Sequence, residues 1–327
     1  MRRAMSLGLI AGLALAALPA QAQDRDFSKV EVKAVPVAGN IHMLQGAGGN
    51  IGVSVGSDGL LIVDDQYAPL AEKIRAALGG LPGGQGQGGK LKFVLNTHWH
   101  GDHTGGNEHF GAEAPIVAHS NVRKRMAVEQ TVFGEKVPAS PAKALPVVTF
   151  DQSLSIHFNG EEIQAIHFPN GHTDGDTVVF FTGSNVVHLG DDYFAGRFPF
   201  VDLGSGGSVT GLLDNIDRIL ARLPDDVKVI PGHGPLSTKK DLAGYRGMLA
   251  ETIGIVRERI AAGQSLEQIK KAGLPDKWKE WGSGFVKTDF WLETVFNSLQ
   301  GQGGTPRSAA VDHAHGHDHG HGHSHQH

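Results

Sequence analysis

Apolar residues along the first part of the chain fall in short runs, and the runs are punctuated by glycine. Ile41–Leu44, Ile51–Val55 and Leu60–Val63 are separated by glycine-rich turns and predict antiparallel strands. Pro69–Leu78 changes period: Leu70, Ile74 and Leu78 fall on one helical face, and Gly79-Gly80 ends it. GGLPGGQGQGGK (79–90) predicts a flexible loop. No Lys-Ser/Thr pair opens a helix after it, so it is no phosphate cradle. Leu91–Leu95 is a buried strand. Further strand-like runs lie at Ile116–Ala118, Val147–Phe150, Ser155–Phe158, Ile163–His167, Thr177–Phe181, Asn185–Leu189 and Val227–Ile230. Helical spacing predicts helices at Ser120–Val128, Val209–Arg222 and Lys239–Ala262. A last helical region, Leu266–Lys271 and Thr288–Leu299, is expected to carry three of the four tryptophans. Strands in groups with helices between them point to an α+β chain of two packed sheets with helices outside.

The two ends read differently. Arg2-Arg3, the apolar run Leu7–Leu18 and Ala20-Gln21-Ala22 have the form of a secretory signal peptide over residues 1–22. The apolar run is shorter than the about 20 residues that span a bilayer, so a retained anchor is disfavoured. Export to a bacterial periplasm is the expectation, with no membrane attachment after cleavage. From His313 to His327 a histidine occupies every odd position, with no apolar residue to pack. Residues 301–327 are therefore expected to be a disordered tail that takes extra divalent metal loosely. Residues 23–300 remain for one catalytic domain, with a helical extension from about 240.

Composition narrows the function. There is no cysteine, so an exported chain of this kind relies on burial and metal, not disulfides. The formal charge is −5; without Arg2 and Arg3, 27 basic residues face 34 acidic ones, a formal −7. With no long basic stripe, the chain is a poor partner for nucleic acid.

The chemistry concentrates in NTHWHGDHTGGN (96–107), which places His98, His100, Asp102 and His103 directly after an apolar strand. Imidazole and carboxylate are zinc ligands, and histidines at i and i+2 by a strand end share a face. Three more candidates each follow a strand: His172 in FPNGHTDGD, Asp191 in VVHLGDDYF and His233 in VIPGHGP.

HxHxDH, then Gly-His, Gly-Asp and Pro-Gly-His-Gly, in that order over about residues 40–240, resembles the metallo-β-lactamase superfamily of metallohydrolases. The resemblance implies an αββα sandwich with two Zn²⁺ at one edge. His98, His100 and His172 would hold the first ion, Asp102, His103 and His233 the second, and Asp191 would bridge them. The expected chemistry is attack by a zinc-activated hydroxide on an ester, lactone, thioester or amide carbonyl of a small-molecule substrate, with Asp102 orienting the hydroxide. Superfamily β-lactamases that hold zinc through a thiolate carry Cys where this chain has Asp191, which counts against antibiotic hydrolysis; export counts for it. A glutathione-thioester hydrolase should carry a basic C-terminal module, which is not evident here. A redox diiron role is disfavoured by His100, where such relatives carry an acidic ligand. A zinc-buffering protein acting through its tail is the alternative of another class.

Other residues invite roles. Arg197 is a candidate clamp for a substrate carboxylate, against the alternative of an ordinary surface arginine. Asp174 and Asp176 are either turn residues or supports to a ligand. Asp192 competes with Asp191, and His188 reads as a core histidine. QGAGGN (45–50) and LGSGGS (203–208) are candidates to border the site.

Overall fold

A computed structural model describes residues 26–86 and 88–301. The expected signal peptide and, but for Gly301, the expected His-rich tail lie outside these residues. In chain order come β1 (Lys33–Ala38), β2 (Ile41–Gln45), β3 (Ile51–Gly56), β4 (Gly59–Val63), α1 (Ala71–Gly79), β5 (Leu91–Leu95), the short helices α2 (Gly101–Thr104) and α3 (Asn107–Phe110), β6 (Ile116–His119) and α4 (Ser120–Met126). A hairpin of β7 (Gln130–Val132) and β8 (Glu135–Val137) follows, then β9 (Val148–Phe150), β10 (Ser153–Phe158), β11 (Glu161–His167), β12 (Thr177–Phe181) and β13 (Val186–His188). The remainder is α5 (Val209–Arg222), β14 (Lys228–Ile230), β15 (Ser237–Thr238), α6 (Lys239–Ala261), α7 (Leu266–Ala272) and α8 (Thr288–Leu299).

Two sheets form. One has the order β1-β2-β3-β4-β5-β6-β9, antiparallel to β4 and parallel beyond it; the other has the order β10-β11-β12-β13-β14-β15, with β13 and β14 parallel. Strand alternation explains why the predicted runs were continuously apolar, because both sheet faces are covered. On β4, Leu61 and Val63 point between the sheets, while Leu60 and Ile62 meet Ile74 and Leu78 of α1. On β12, Val179 and Phe181 face the other sheet, and Val178 faces α5 and α6. The result is the expected αββα sandwich, an α+β architecture.

The segment after residue 240 is built into that sandwich. Leu249 and Ile253 of α6 and Trp291, Leu292 and Val295 of α8 share one core with Leu212 and Ile216 of α5. Trp291 stacks on Phe198 at 5.7 Å and donates its Nε1–H to Thr252 Oγ1 at 3.1 Å. The expected placement of the tryptophans needs correction. Trp278 and Trp281 lie in a 3₁₀ stretch, Asp276–Ser283, outside the two predicted helices. That stretch follows Pro275, whose missing N–H and fixed φ favour a helix start but not its continuation from α7.

Candidate metal centre

Because β12 runs antiparallel to both its neighbours and β13 is parallel to β14, strands β11, β13 and β14 point the same way. The loops leaving them carry His172, Asp191 and His233 to one edge of the sandwich. The loop leaving β5 brings His98 to His103 to the same edge. Chain reversal at these loops needs glycine: Gly190 has φ +52°, and Gly234, after His233, has φ +112°. Two other glycines are required by closeness. A Cβ on Gly49 would collide with the His103 ring, and one on Gly232 with Asp191 Oδ1.

All seven sequence-predicted ligands meet there. His98, His100 and His172 form one group whose nitrogens lie close enough for a single ion; Asp102, His103 and His233 form another. Asp191 stands between them. Its Oδ2 is 3.9 Å from His98 Nε2 and 3.6 Å from His172 Nε2, while its Oδ1 is 3.0 Å from His103 Nε2 and 3.3 Å from His233 Nε2. One carboxylate oxygen thus faces each group. Four of the seven lie in the turns directly after β5, and the other three each follow a Gly in a loop leaving a strand; the sandwich supplies the convergence.

The far nitrogens of four histidines fix which nitrogen faces inward. His103 Nδ1–H donates to Asp64 Oδ2 at 2.7 Å, His172 Nδ1–H to the Phe200 carbonyl at 2.7 Å, and His100 Nε2–H to Asp202 Oδ2 at 2.9 Å. Thr97 Oγ1 gives its own proton to Asp64, so at 3.0 Å it accepts from His98 Nδ1–H. The other nitrogen of each ring is then the one turned to the centre. His172 Nε2 and His100 Nδ1 come within 2.8 Å of one another. Two lone pairs at that separation repel unless a cation lies between them. His98 Nε2 and Asp191 Oδ1 are buried without a hydrogen-bond partner. Imidazoles, carboxylates and unsatisfied inward donor atoms together fit a pair of borderline divalent metals.

Electrostatics divides the centre. Burial, with the neighbouring histidines, holds His98 well below its usual range, and burial lowers His172 to about 4, so both are neutral at ordinary pH. Burial opposes charge on Asp191 and Asp102, but His233 and His103 override it and keep both carboxylates ionised. Against the same burial, Asp191, Asp102 and Asp64 hold His103 well above its usual range, and Asp191 and Asp102 raise His233 to about 9, so a proton competes with a metal for the Nε2 of each. The side chains of Asp102 and His233 are 24% and 21% exposed, whereas those of His98, His103 and His172 are at most 1% exposed. Substrate must therefore arrive over Asp102 and His233. They floor a cavity of about 430 Å³ with Trp99, Phe194, Phe200 and Arg197 in its walls.

The other candidates separate cleanly. Arg197 lines the cavity and has no hydrogen-bond or ion-pair partner among the described residues. Asp174 is held by Arg125 in a bidentate pair, 2.7 Å at each bond, and is structural. Asp192 points away from the centre, accepting from the His172 backbone N–H at 3.3 Å; burial raises it to about 7. Asp176 faces it across Gly171 and accepts from Thr173 N–H and Oγ1–H. His188 is a satisfied core histidine, donating from Nε2 to the Asn50 carbonyl at 2.9 Å. Gly48 of QGAGGN borders the cavity, whereas LGSGGS lies beneath His172, where a Cβ on Gly207 would strike the His172 carbonyl.

Sequence reasoning missed Asp64, Thr97 and Asp202, which set the histidine tautomers. Asp64 had a signal: GLLIVDD ends an apolar strand on two carboxylates that are fully buried, and Asp64 sits at φ +66°. Asp202 had none.

Comparison with known proteins agrees with this geometry. The sequence model of the metallo-beta-lactamase superfamily matches residues 49–233. The chain is 24% identical over 147 residues to the metallo-beta-lactamase type 2 of Bacteroides fragilis, covering 44% of this chain and 54% of that protein. It is 32% identical over 158 residues to the hydroxyacylglutathione hydrolase GloC of Haemophilus influenzae, covering 45% and 71%. The match thus spans little more than half the length of the first relative. Among solved structures, a metallo-beta-lactamase from Pontibacter korlensis superposes with a TM-score of 0.54 at 17% identity, covering 67% of this chain and 99% of that one. The inverting sec-alkylsulfatase Pisa1 from Pseudomonas sp. superposes with a TM-score of 0.61 at 16% identity, covering 83% and 50%. At those identities the likeness is one of fold. The sandwich, the converging donor set and the family match over most of the folded chain agree: this protein belongs to the metallo-β-lactamase superfamily, whose members are hydrolases.

Proposed function

We propose that this chain is an exported, periplasmic hydrolase that uses two Zn²⁺ ions to cleave a carbonyl substrate: an ester, lactone, thioester or amide. The observation that carries the reading is Asp191, with one oxygen turned to each of two donor groups beneath an open cavity. His98, His100 and His172 would hold one ion and Asp102, His103 and His233 the other, with Asp191 shared. Zinc in such a site supplies Lewis acidity, polarising a carbonyl oxygen and bringing water's pKa toward neutrality.

The chain's own residues do the rest. Asp102, ionised and partly open to the cavity, accepts the O–H of the attacking water and orients it. Asp64 and Asp202 hold His103 and His100 in the tautomers that leave the inward nitrogens free. Trp99, Phe194 and Phe200 keep bulk water from the reacting carbonyl. Arg197, without a protein partner, anchors an anionic group of the substrate.

A true β-lactamase is the rival reading, favoured by the likeness to the Bacteroides fragilis protein of that name. The deciding assay is hydrolysis of a chromogenic β-lactam beside a lactone and an aryl ester by zinc-loaded protein. Turnover of the lactone or ester with a kcat/KM of about 10⁴ M⁻¹s⁻¹ or more, and feeble cleavage of the β-lactam, is the expected result. The reverse ranking establishes the lactamase. Deleting residues 313–327 tests the zinc-buffering alternative: an enzyme keeps its turnover at saturating zinc, whereas a buffer loses most of its zinc capacity.

A further inference from the structure

The hairpin of β7 and β8 pairs Val132 with Glu135, so Phe133-Gly134 is a two-residue turn, with φ +53° and +79°. Asn-Gly suits that turn; a bulky aromatic adopts the left-handed conformation only at a cost. The strained residue is also exposed, by 52%. Its ring is placed with purpose. It lies 4.3 Å from Phe200, 5.3 Å from Phe285 and 5.9 Å from Phe290. Phe200 in turn packs at 5.7 Å against both His100 and His172, joining this cluster to the metal-ligand histidines. Phe285 and Phe290 are themselves exposed, by 71% and 37%. Two of these exposed rings, Phe133 and Phe285, line the cavity and Phe290 lies beside Phe133, and such a patch beside a cleft marks a binding surface. The wall opposite in chemistry is Arg197, a cation with no partner among the described residues. The hairpin's base is fixed, because Val132 and Val137 pack against the core around Trp99 and Met126, so the tip is held over the mouth.

We propose that the cavity selects amphipathic anions, holding an extended apolar group under Phe133 against Phe200 and Phe285, and the anionic group at Arg197. This deepens the hydrolase reading and rests on it for the identity of the cavity as the substrate site. Strain at Phe133 is retained because the aromatic tip closes over the apolar part of the substrate.

The test reads binding of decanoate, butyrate and decyltrimethylammonium by titration calorimetry, with zinc-loaded protein and after chelation. Decanoate should bind about tenfold or more tighter than butyrate in both forms, the gain from burying roughly two methylene groups. Since both carry a carboxylate, any contact with metal cancels in that ratio. Decyltrimethylammonium should bind at least tenfold more weakly than decanoate, and Arg197→Met should erase that difference. Phe133→Asn should leave thermal stability unchanged or raised, because Asn-Gly relieves the turn, while bringing the decanoate-to-butyrate ratio toward one. A ratio near one in the unaltered protein, equal binding of the cationic amphiphile, or loss of stability in Phe133→Asn with the ratio kept would each overturn the inference. Because binding is measured without turnover, an intact ratio with no hydrolysis of any ester or lactone sinks the hydrolase reading alone. Hydrolysis of small esters with a ratio near one sinks this inference alone.

Discussion

Asp64→Asn isolates the control of a tautomer from bulk and backbone. Asp64 sits at φ +66°, which Asn tolerates as well as Asp, and the two side chains are nearly the same size. The carboxylate accepts three hydrogen bonds at 2.7 Å: from Thr97 N–H, from Thr97 Oγ1–H and from His103 Nδ1–H. An amide accepts through one oxygen only. Its NH₂ must replace Oδ1, against Thr97 N–H, or Oδ2, against both Thr97 Oγ1–H and His103 Nδ1–H; each is donor against donor, and the second disturbs both side chains. Thr97 can rotate its hydroxyl, but doing so removes the acceptor of His98 Nδ1–H. If His103 gives way, its proton moves to Nε2 and blocks the lone pair aimed at the centre. Either way one charge-assisted bond is lost in a fully buried place, about 1.5–3 kcal/mol, or roughly ten- to hundredfold in an equilibrium constant. That loss should fall on metal affinity, as expected when a carboxylate behind a ligating histidine is removed. Zinc affinity by competition with a calibrated chelator should drop roughly ten- to hundredfold, for one of two ions more than the other. Zinc affinity within twofold of the parent protein, together with unchanged melting, would refute the assignment of Asp64 as the group that fixes His103.

Three further perturbations follow from the same geometry. Gly232→Ala places a methyl against Asp191 Oδ1 and the Gly190 carbonyl; the displaced carboxylate should lower kcat by roughly a hundredfold and reduce zinc per chain by elemental analysis, and full zinc with full turnover contradicts the shared-ligand role. His119 and His167 stack at 3.7 Å, and burial lowers His119 from 6.5 to about 4. The unfolded chain then binds more protons, so stability is whole above about pH 6.5 and is lost as pH falls toward 4, by up to ~1.4 kcal/mol per pH unit for this group. Protonation also removes the Nδ1 acceptor that caps α4 through Asn121 N–H; urea unfolding of metal-free protein at pH 7 and 5 should show the slope flattened in His119→Asn, and an unflattened slope assigns it elsewhere. Trp291→Ala should cost about 3–5 kcal/mol by urea unfolding, since the ring is fully buried, and a cost under about 1 kcal/mol would deny α8 its place in the core.

What could be read from the chain and what could not divides along one physical line. The seven predicted ligand positions lie in short motifs, because each is a histidine or aspartate in a turn where a strand ends, and those are local requirements. The groups that orient the ligands are not local. His103 meets Asp64 across 39 positions and His100 meets Asp202 across 102. Asp202 lies in a 3₁₀ cap whose own signal, accepting from Ser205 N–H, says only that a turn begins. Helices were legible in period and in length: α5 and α8 carry the predicted bounds. Strand β1 was not, because Pro36 and its exposed neighbours suit an edge strand and break the apolar run that marks a covered one. The β7–β8 hairpin escaped for a related reason. QTVFGEKV contains no turn dipeptide of the usual kind, since Phe133 occupies the position that turn chemistry gives to Asn.

That departure is informative when set beside the C-terminal segment. The family match ends at residue 233, within the turn that supplies the last predicted ligand. Residues 234–301 supply none of the predicted ligands, yet their helices are packed into the same core as the second sheet. Helix α8 commits Trp291, Leu292 and Val295 to the core under the second sheet, and with that face fixed, Phe290 on its first turn is left 37% exposed beside Phe133. The stretch before it is tied down by Phe198 N–H, which donates to the Trp281 carbonyl at 3.1 Å, and it delivers Phe285 and Val286 to the cavity wall. The donor set at the sandwich edge decides what bond can be attacked. On the proposed reading, the hairpin tip, the loop through Arg197 and the segment before α8 select which molecule can bring that bond within reach. Packing errors in α8 should therefore be felt as changes in KM and chain-length preference before they are felt in zinc content, because the wall and the ligands hang from different parts of the same core.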